Sequence, residues 1–475
     1  MISKELSVYN LNSFVGGRKI QLPYEKQIEL IGNELLEKNA DINVLPEFND
    51  SMLSSGLLRT APERIETLVS AEAKGMASVQ LGFVDSLFGS IINLIPDYPI
   101  ISTAKSLVIG AAKSKLDTAA EAFGDVVGGA VKPVISSLVS SLEDVGTKKS
   151  IGSALEYEFN KALSNAGVRE FQNVPVEGLV IGDHERLKDI TNYMNSKLGD
   201  DVYSYTLHGG TGTISKYKIM DEKPNGAAGG SSLVIDYDKD GAISSRDIHL
   251  DTIHTNDLKY AAYLPRGVSG DGPTPNQITT DTSVIKAVNL ASGRTEAINN
   301  VLNAHANGPY KDLAHIVSGD FNEPSHLDWI ASNKNANDRN GVVYEWDTSK
   351  ALIDKGYTDS FREVHPDPVK DPGHTWGGPA YETGNKSWAP TVDDRDRIDM
   401  TYSQDGNKID LTSIKATVVG SNQYFVKDGL ITQASSNSYD LSSNPTSGMS
   451  DHKGLMTTYL VNEIPTVGQP SAEHS

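Results

Sequence analysis

The sequence predicts a layered α/β domain interrupted by a helical insertion. Three stretches carry that reading: a strand, a helix and a second strand within residues 1–50; a strand-rich run with Gly-containing turns from about 200; and a return to helix–strand alternation between 294 and 461. Elements that alternate in this way stack as separate layers over shared cores.

Taken in order, "ELSVYN" (5–10) reads as a short strand. A helix follows from about Pro23 to Lys38, because Pro suits a first helical turn, Ile28, Ile31 and Leu35 recur every three or four residues, and Asn39 is a natural stop. "DINVLPEF" (41–48) is a strand running into Pro46 and Glu47. Between 51 and 175 the texture changes. Residues 76–146 are rich in Ala, Gly, Ser, Val and Ile, and "TAAEAFGDVVGGAV" and "PVISSLVSSLEDV" each pattern as a helix with one apolar face. Pro96, Pro99 and Pro133 divide this insertion into segments. It is expected to bury its own faces as a helical subdomain; contact with a membrane or partner through the same low-charge faces is the alternative.

The main domain resumes over 176–463. "DVYSYTLHG", "GTISKYKI", "SSLVIDYD" and "RDIHLDTIHT" read as strands. "RTEAINNVLNAHAN" (294–307) is a helix with Ala297, Ile298, Val301 and Leu302 on one face, ended by Gly308. "AHIVSGD", "RIDMTYS", "IDLTSIKATVV" and "KGLMTTYLV" complete the strands, and the polar tail over 464–475 is expected to be disordered. No internal repeat is visible.

Composition narrows the chemistry. With 42 basic and 62 acidic residues the formal charge is −20, which disfavours tight, sequence-independent binding to a polyanion. Cysteine is absent, so disulfides, thiolate metal sites and Cys nucleophiles are excluded; any metal must take oxygen or imidazole ligands, which favours Mg²⁺, Mn²⁺ or Ca²⁺. No apolar stretch reaches the ~18 residues of a membrane span. The N-terminus lacks a basic region followed by an apolar one, and with zero Cys and an acidic balance this suits leaderless export from a bacterium, with a cytoplasmic location as the alternative.

Polar residues crowd the ends of the expected strands. They are Asn10 and Asn12 in "VYNLN", Glu47 in "VLPEF", His254 in "DTIHTNDLKYAAY", Asp320 and Asn322 in "SGDFNEP", Asp396 in "RDRIDMTY", and Asp451 with His452 in "SGMSDHKG". Singly, each reads as an ordinary turn residue. In this order and together they resemble the endonuclease/exonuclease/phosphatase superfamily. The long form "GDFNEPSHLDW", with "GYTDSFREVHPDP" and "HTW" downstream, looks like a bacterial branch of it. The resemblance covers roughly 1–50 and 180–465. The chain departs from the common pattern in two places: Pro46 stands where many members have Gln, and Asn12 where some nucleases have Asp.

The resemblance implies a four-layer αββα sandwich of two mainly antiparallel sheets, and a divalent-metal-dependent phosphoesterase using Mg²⁺ or Mn²⁺. A phosphate ester resists attack because its oxygens are negative, so a catalyst must neutralise charge and activate a water. By resemblance, Glu47 binds the metal with Asn10, Asn12 and Asp451 as further ligands; Asp320 takes a proton from the attacking water; Asn322 holds that water or a phosphate oxygen. His452 and His254 meet the phosphate, with Asp396 orienting His452. His254 is chosen over His249 because Asp257, Tyr260 and Tyr263 follow it at the branch's spacing. The acidic balance favours a small or lipid-linked phosphate ester; a DNA or RNA nuclease and a sphingomyelinase-like phospholipase C acting at a membrane are the rival readings.

One further motif stands apart. "DYDKDGAISSRD" (236–247) fits the spacing of an EF-hand calcium loop at Asp236, Asp238, Asp240, Gly241 and Asp247, with Asp in place of the terminal Glu. A β-hairpin turning on "KDG" is the preferred reading, because strands flank it and no helices do. Trp329, Trp376 and Trp388 are expected in core packing rather than stacked on a substrate, and His305, His315 and His326 are assigned no chemical role.

Overall fold

The computed structural model describes residues 4–13, 24–48, 183–271, 275–377, 389, 391–420, 424–427, 430–433 and 450–464. The expected insertion over 51–175, the tail beyond 464 and Trp388 lie outside them. The chain divides into two units: Met1–Phe14, Ile31–Phe48 and Ile190–Ser475 form one, Val15–Leu30 and Asn49–Asp189 the other. In the second, the first turns of helices α1 (Tyr24–Lys38) and α2 (Asp183–Leu198) are joined by Tyr24 Oη donating to Asp189 Oδ2 (2.7 Å) and Arg186 Nη2 to Gln27 Oε1 (2.5 Å).

The first unit is built on two six-stranded sheets. One contains β1 (Lys4–Asn10), β2 (Ile42–Leu45), β3 (Ser204–His208), β4 (Thr211–Ser215), β11 (Ile409–Val419) and β14 (Gly454–Glu463), in the order β11-β14-β1-β2-β4-β3. The other contains β5 (Ile219–Pro224), β6 (Ser231–Ile235), β7 (Ile248–His254), β8 (Ala314–Asp320), β9 (Thr358–Asp359) and β10 (Asp399–Gln404), in the order β5-β6-β7-β8-β10-β9. A separate hairpin pairs β12 (Tyr424–Lys427) with β13 (Leu430–Gln433). Every neighbouring pair is antiparallel except the central ones, β1–β2 and β7–β8, which are parallel. Two mainly antiparallel sheets are thus the frame of an α/β sandwich.

Strand alternation sorts the side chains. Leu6 and Val8 of β1, Leu233 and Ile235 of β6, Ile248 and Leu250 of β7, and Ala314 and Ile316 of β8 share one core, so the inner faces of both sheets meet there. On the opposite phase, Ile253, Val317, Met400 and Tyr402 pack against Ala297, Ile298, Val301 and Leu302 of the helix Arg294–Asn307, an outer layer over the second sheet. Tyr9, likewise on the outer phase of β1, donates to Glu34 Oε1 of α1 (3.1 Å). Each buried methyl-bearing side chain contributes on the order of 1.5–3 kcal/mol, so this phase is strongly fixed.

The elements expected from sequence fall where the pattern puts them: α1 at Tyr24–Lys38, the helix at Arg294–Asn307, and strands at β1, β2, β7, β8, β10, β11 and β14. The helix α2 (Asp183–Leu198), the short helices at Thr282–Ala291, Asp347–Asp354 and Ser360–Val364, and the strands β5, β9, β12 and β13 have no counterpart in the sequence reading. The 236–247 stretch corrects another expectation. β6 and β7 do pair as antiparallel neighbours, Ile235 opposite Ile248, but all twelve residues between them form a loop rather than a tight turn on "KDG".

Candidate active site

The two central strand pairs deliver polar side chains to one end of the sandwich. On β7 and β8 the parallel register sets His254 opposite Asp320, and the antiparallel register sets Asp399 of β10 opposite Asp320 as well. All three are on the inner phase. From the facing sheet, Asn10 ends β1 opposite Leu455 of β14, so the loop carrying His452 starts beside the loop carrying Asn12. Ser450 ties those loops together: its Oγ donates to Asn12 O (2.6 Å) and accepts from His452 N (3.0 Å).

Asp320 is the hub. It is fully buried, and its Oδ2 accepts from Asn12 Nδ2 (3.0 Å), with His452 Nε2 at 3.9 Å and His254 Nε2 at 4.0 Å. Burial and the nearby Asp399 carboxylate push its carboxyl up to about 6, against the pull of His452 and His254. His254 Nε2 is buried without a hydrogen-bond partner and stands 3.6 Å from Glu47 Oε1. Glu47 is the more exposed member, its side chain 23 % accessible, and holds a left-handed backbone at φ 52°. A non-Gly residue in that region costs roughly 1–2 kcal/mol, and such outliers gather at functional sites.

His452 turns its other nitrogen inward. Nδ1 lies 2.8 Å from Asp399 Oδ2. Burial opposes a charged ring, but Asp399, with Asp320 and Asp451, raises the imidazole well above its ordinary value. Asp399 is held in turn by Thr375, whose Oγ1 accepts from the amides of Ile398 (3.1 Å) and Asp399 (3.0 Å). Trp376 packs its ring 4.7 Å from that of His452, so it belongs to the site rather than to a core alone.

This corrects the assignment of Asp396 as the partner of His452. Asp396 is fully buried elsewhere: it accepts from Arg266 (2.6 Å), Tyr260 (2.9 Å), Trp329 Nε1 (3.0 Å) and Arg339 (3.4 Å). The reason is strand phase. Asp399 shares the inner face with Asp320; Asp396 is three residues earlier, before β10 begins, and its chain pairs with Trp376 instead.

The remaining expected residues divide. Asn10 Nδ2 donates to the carbonyls of Gly319 (2.9 Å) and Met400 (3.4 Å), clamping one sheet to the other, and leaves Oδ1 buried without a hydrogen bond. Asn322, at φ 45°, gives its amide N–H to Asp320 Oδ1 (2.7 Å) and Nδ2 to Thr255 O (3.0 Å), so it fixes the loop around the carboxylate. Asp451 is buried beside His452. Gly319 is obligatory in this corner: a Cβ there would meet Ile253 O at 1.9 Å. Glu323, conspicuous in "GDFNEP", is structural, accepting from Thr348 N (2.8 Å) and Oγ1 (3.0 Å).

Among the described residues three groups set ligand atoms close enough to share a cation: Glu47, Asp320 and His452; Asp236, Asp238 and Asp247; and His249, His305 and His315. In the first, the carboxylate oxygens of Glu47 and Asp320 make a donor set that suits a hard divalent ion. The third lies on the outer face of the second sheet and is already engaged. His249 meets His305 (2.7 Å) and Ser232 (2.8 Å), while His315 meets Asp251 (2.9 Å) and Tyr357 (2.5 Å).

No family model matches the chain. A 93-residue stretch, 19 % of this chain, is 37 % identical to the uncharacterized protein F14F9.5 of Caenorhabditis elegans and spans 28 % of that relative's length. Among solved structures, an endonuclease/exonuclease/phosphatase family protein from Bacteroides thetaiotaomicron aligns over 98 % of this chain and all of its own, at 10 % identity and a TM-score of 0.38. One from Leptotrichia buccalis aligns over 96 % and 99 % at 14 % identity and 0.36, and Caenorhabditis elegans TDP2 over 96 % and 75 % at 11 % identity and 0.34. At these scores the likenesses carry no weight, and the chemistry rests on the residues themselves.

Proposed function

We propose that this protein is a divalent-metal-dependent phosphoesterase. The observation that carries the reading is the convergence of a buried carboxylate, Asp320, with two imidazoles, His254 and His452, and a partly exposed acid, Glu47, at one end of the sandwich. Glu47, with Asn10 and Asp451 as further oxygen ligands, would hold a Mg²⁺ or Mn²⁺ ion. Such an ion, when bound, supplies positive charge for a phosphate oxygen.

The chain's own residues do the rest. Asp320 accepts the proton of a water as its oxygen attacks phosphorus, and Asn322 keeps the carboxylate loop in place for that transfer. His452, kept cationic by Asp399, donates to a non-bridging oxygen and offsets the charge that grows there; His254 is the second donor. The bond from phosphorus to the ester oxygen breaks, the alcohol leaves with a proton taken from solvent, and Asp320 returns the water's proton to solvent. Asn12 bridges Asp320 and His452 and sets their separation.

The substrate class is a small or lipid-linked phosphate ester, since a −20 chain repels a long polyanion. The test is hydrolysis of phosphomonoesters, diesters, plasmid and single-stranded DNA, and phospholipids with Mg²⁺, Mn²⁺ or Ca²⁺. Metal-dependent release from one class, abolished by His452→Ala, is the expected result. Cleavage of DNA alone would move the assignment to a nuclease, and no hydrolysis of any class would overturn it.

A further inference from the structure

The β6–β7 loop, 236–247, plays no part in the site just described, yet it concentrates four carboxylates. Asp236, Asp238, Asp240 and Asp247 occupy positions 1, 3, 5 and 12 of a twelve-residue stretch with Gly241 at position 6, the spacing by which an EF-hand loop wraps a cation. Clustering of acids alone would mean little, because acidic turns are common on protein surfaces. Two further observations change that.

The first is burial. Asp236 is 5 % exposed and Asp247 fully buried, although they bound a surface loop, and Asp236 Oδ1 has no hydrogen-bond partner among the described residues. A buried carboxylate oxygen left without donor or cation costs several kcal/mol, so folded chains rarely retain one. Ligand oxygens of Asp236, Asp238 and Asp247 lie within 4.8 Å of one another, so the unpartnered oxygen belongs to a shared pocket.

The second is the placement of the basic side chains. Arg246, within the loop, pairs with Glu463 (2.9 Å), and Lys239 lies over the Tyr217 ring at 4.9 Å. None of the four carboxylates forms an ion pair among the described residues. Their mutual repulsion stays uncompensated, while the other donors order the loop around them. Tyr237 N (3.0 Å) and Ser244 N (2.7 Å) donate to Asp247, and Ser244 Oγ donates to Asp238 Oδ2 (3.1 Å).

We propose that residues 236–247 form a calcium site, with Asp236, Asp238 and Asp247 as ligands, Asp240 as the fifth-position carboxylate, and a role in stability rather than in hydrolysis. The ion is calcium rather than magnesium because a wrapped loop of flexible oxygen donors suits six to eight ligands better than a strict octahedron. The loop feeds directly into β7, whose far end carries His254. An ordered loop therefore anchors a strand of the site without touching the reacting groups.

The experiment uses the full chain, stripped of metal with EGTA. Tb³⁺ is titrated in and its emission excited through tyrosine, since Tyr237 occupies loop position 2 and its ring lies 5.5 Å from that of Tyr217. Ca²⁺ is then added as competitor, and melting is followed with Ca²⁺ and with Mg²⁺. In the wild type and in Glu47→Gln, tyrosine-sensitised emission should appear and be displaced by Ca²⁺. Ca²⁺ at a hundredfold excess over its Kd should raise Tm by about 3–4 °C, more than Mg²⁺ does. Asp236→Asn/Asp238→Asn should lose both effects. The exposed Asp240→Asn, which leaves the buried pair intact, should weaken Ca²⁺ on the order of tenfold. Emission and Ca²⁺-dependent Tm retained in the double variant, or lost in Glu47→Gln, would overturn the site, as would a wild type with no response to millimolar Ca²⁺.

Discussion

Two aspartates three residues apart, Asp396 and Asp399, should fail in opposite ways when each loses its charge. Asp399 holds His452 Nδ1 at 2.8 Å, and it also repels Asp320, whose carboxyl it helps push up. Asp399→Asn removes the anion that keeps the imidazole charged, while relieving a carboxylate–carboxylate repulsion. Stability should shift little, but turnover should fall by ~10²–10⁴-fold, the range for a positioned acid–base group. Asp396 instead anchors Arg266 at 2.6 Å and Arg339 at 3.4 Å, all three within 3 % of full burial. Burial works against the Arg266 charge, and Asp396 more than restores it.

Asp396→Asn therefore strands two buried guanidinium groups. Removing one partner of such a pair costs about 3–5 kcal/mol, and at roughly 1–1.5 °C per kcal/mol for a unit of this size Tm should drop about 3–8 °C. Turnover per folded molecule should stay near wild type. The assays are thermal melting and steady-state hydrolysis of whichever ester responds, both with saturating metal. His452→Ala combined with Asp399→Asn should lose little more than the worse single variant, since paired residues act as a unit. Strictly additive losses, or an Asp399→Asn variant that melts as early as Asp396→Asn, would refute the pairing.

Three other outcomes are expected. Glu47→Gln should abolish most hydrolysis with the fold intact, because one hard oxygen ligand loses its charge; near-normal turnover and metal affinity would remove Glu47 from the site. Acid should weaken the contribution of the buried imidazoles: burial, then His315, lowers His249 from 6.5 to about 3, so as pH falls below 6.5 the unfolded chain takes up a proton that the folded one refuses. At pH 5 that is a loss of about 2 kcal/mol from His249 alone, with His305 and His315 acting in the same direction and the raised Asp251, Asp320, Asp394 and His452 opposing them. Urea melts between pH 7.5 and 5 should show that difference between the wild type and His249→Gln, with the variant losing about 2 kcal/mol less on acidification; identical pH dependence in the two would count against this account. Gly319→Ala should destabilise by about 1–3 kcal/mol or more, because its Cβ would press on Ile253 O, and circular-dichroism melts would detect a neutral change that contradicts it.

Most of the long strands and the helices Tyr24–Lys38 and Arg294–Asn307 were legible because burial imposes a period, whereas the 16-residue helix Asp183–Leu198 was missed. Ile28, Ile31 and Leu35 mark one helical face, and Leu6 and Val8 one strand face, whatever else the fold does. The helices at Asp347–Asp354 and Ser360–Val364 were not legible, because they are short and held by distant groups. Glu323 caps the start of the first through Thr348, and Asp359, itself paired with Arg397 (2.7 Å), caps the second. Neither partner is visible from local pattern. The same is true of Asp328, which binds Arg362 and Arg397 in a buried network and looks in sequence like one more loop acid.

Strand phase explains both the success and the miss at the site. Asn10, His254 and Asp320 each close a strand whose inner residues are plainly apolar, so counting by twos from Val8, Leu250 or Ile316 reaches them directly. The same count was available for "RIDMTYS". Met400 and Tyr402 are the large apolar residues of β10 and lie on its outer face, beneath the helix Arg294–Asn307. The inner phase is therefore Asp399, Thr401 and Ser403, and Thr401 confirms it by meeting Ser318 of β8 at 2.8 Å. Reading outward from those hydrophobic residues selects Asp399 for His452 and leaves Asp396 on the wrong phase. A polar inner face on β10 is itself informative: Thr401 and Ser403 are buried within the sandwich, and Asp399, at the start of the strand, is the residue that meets His452.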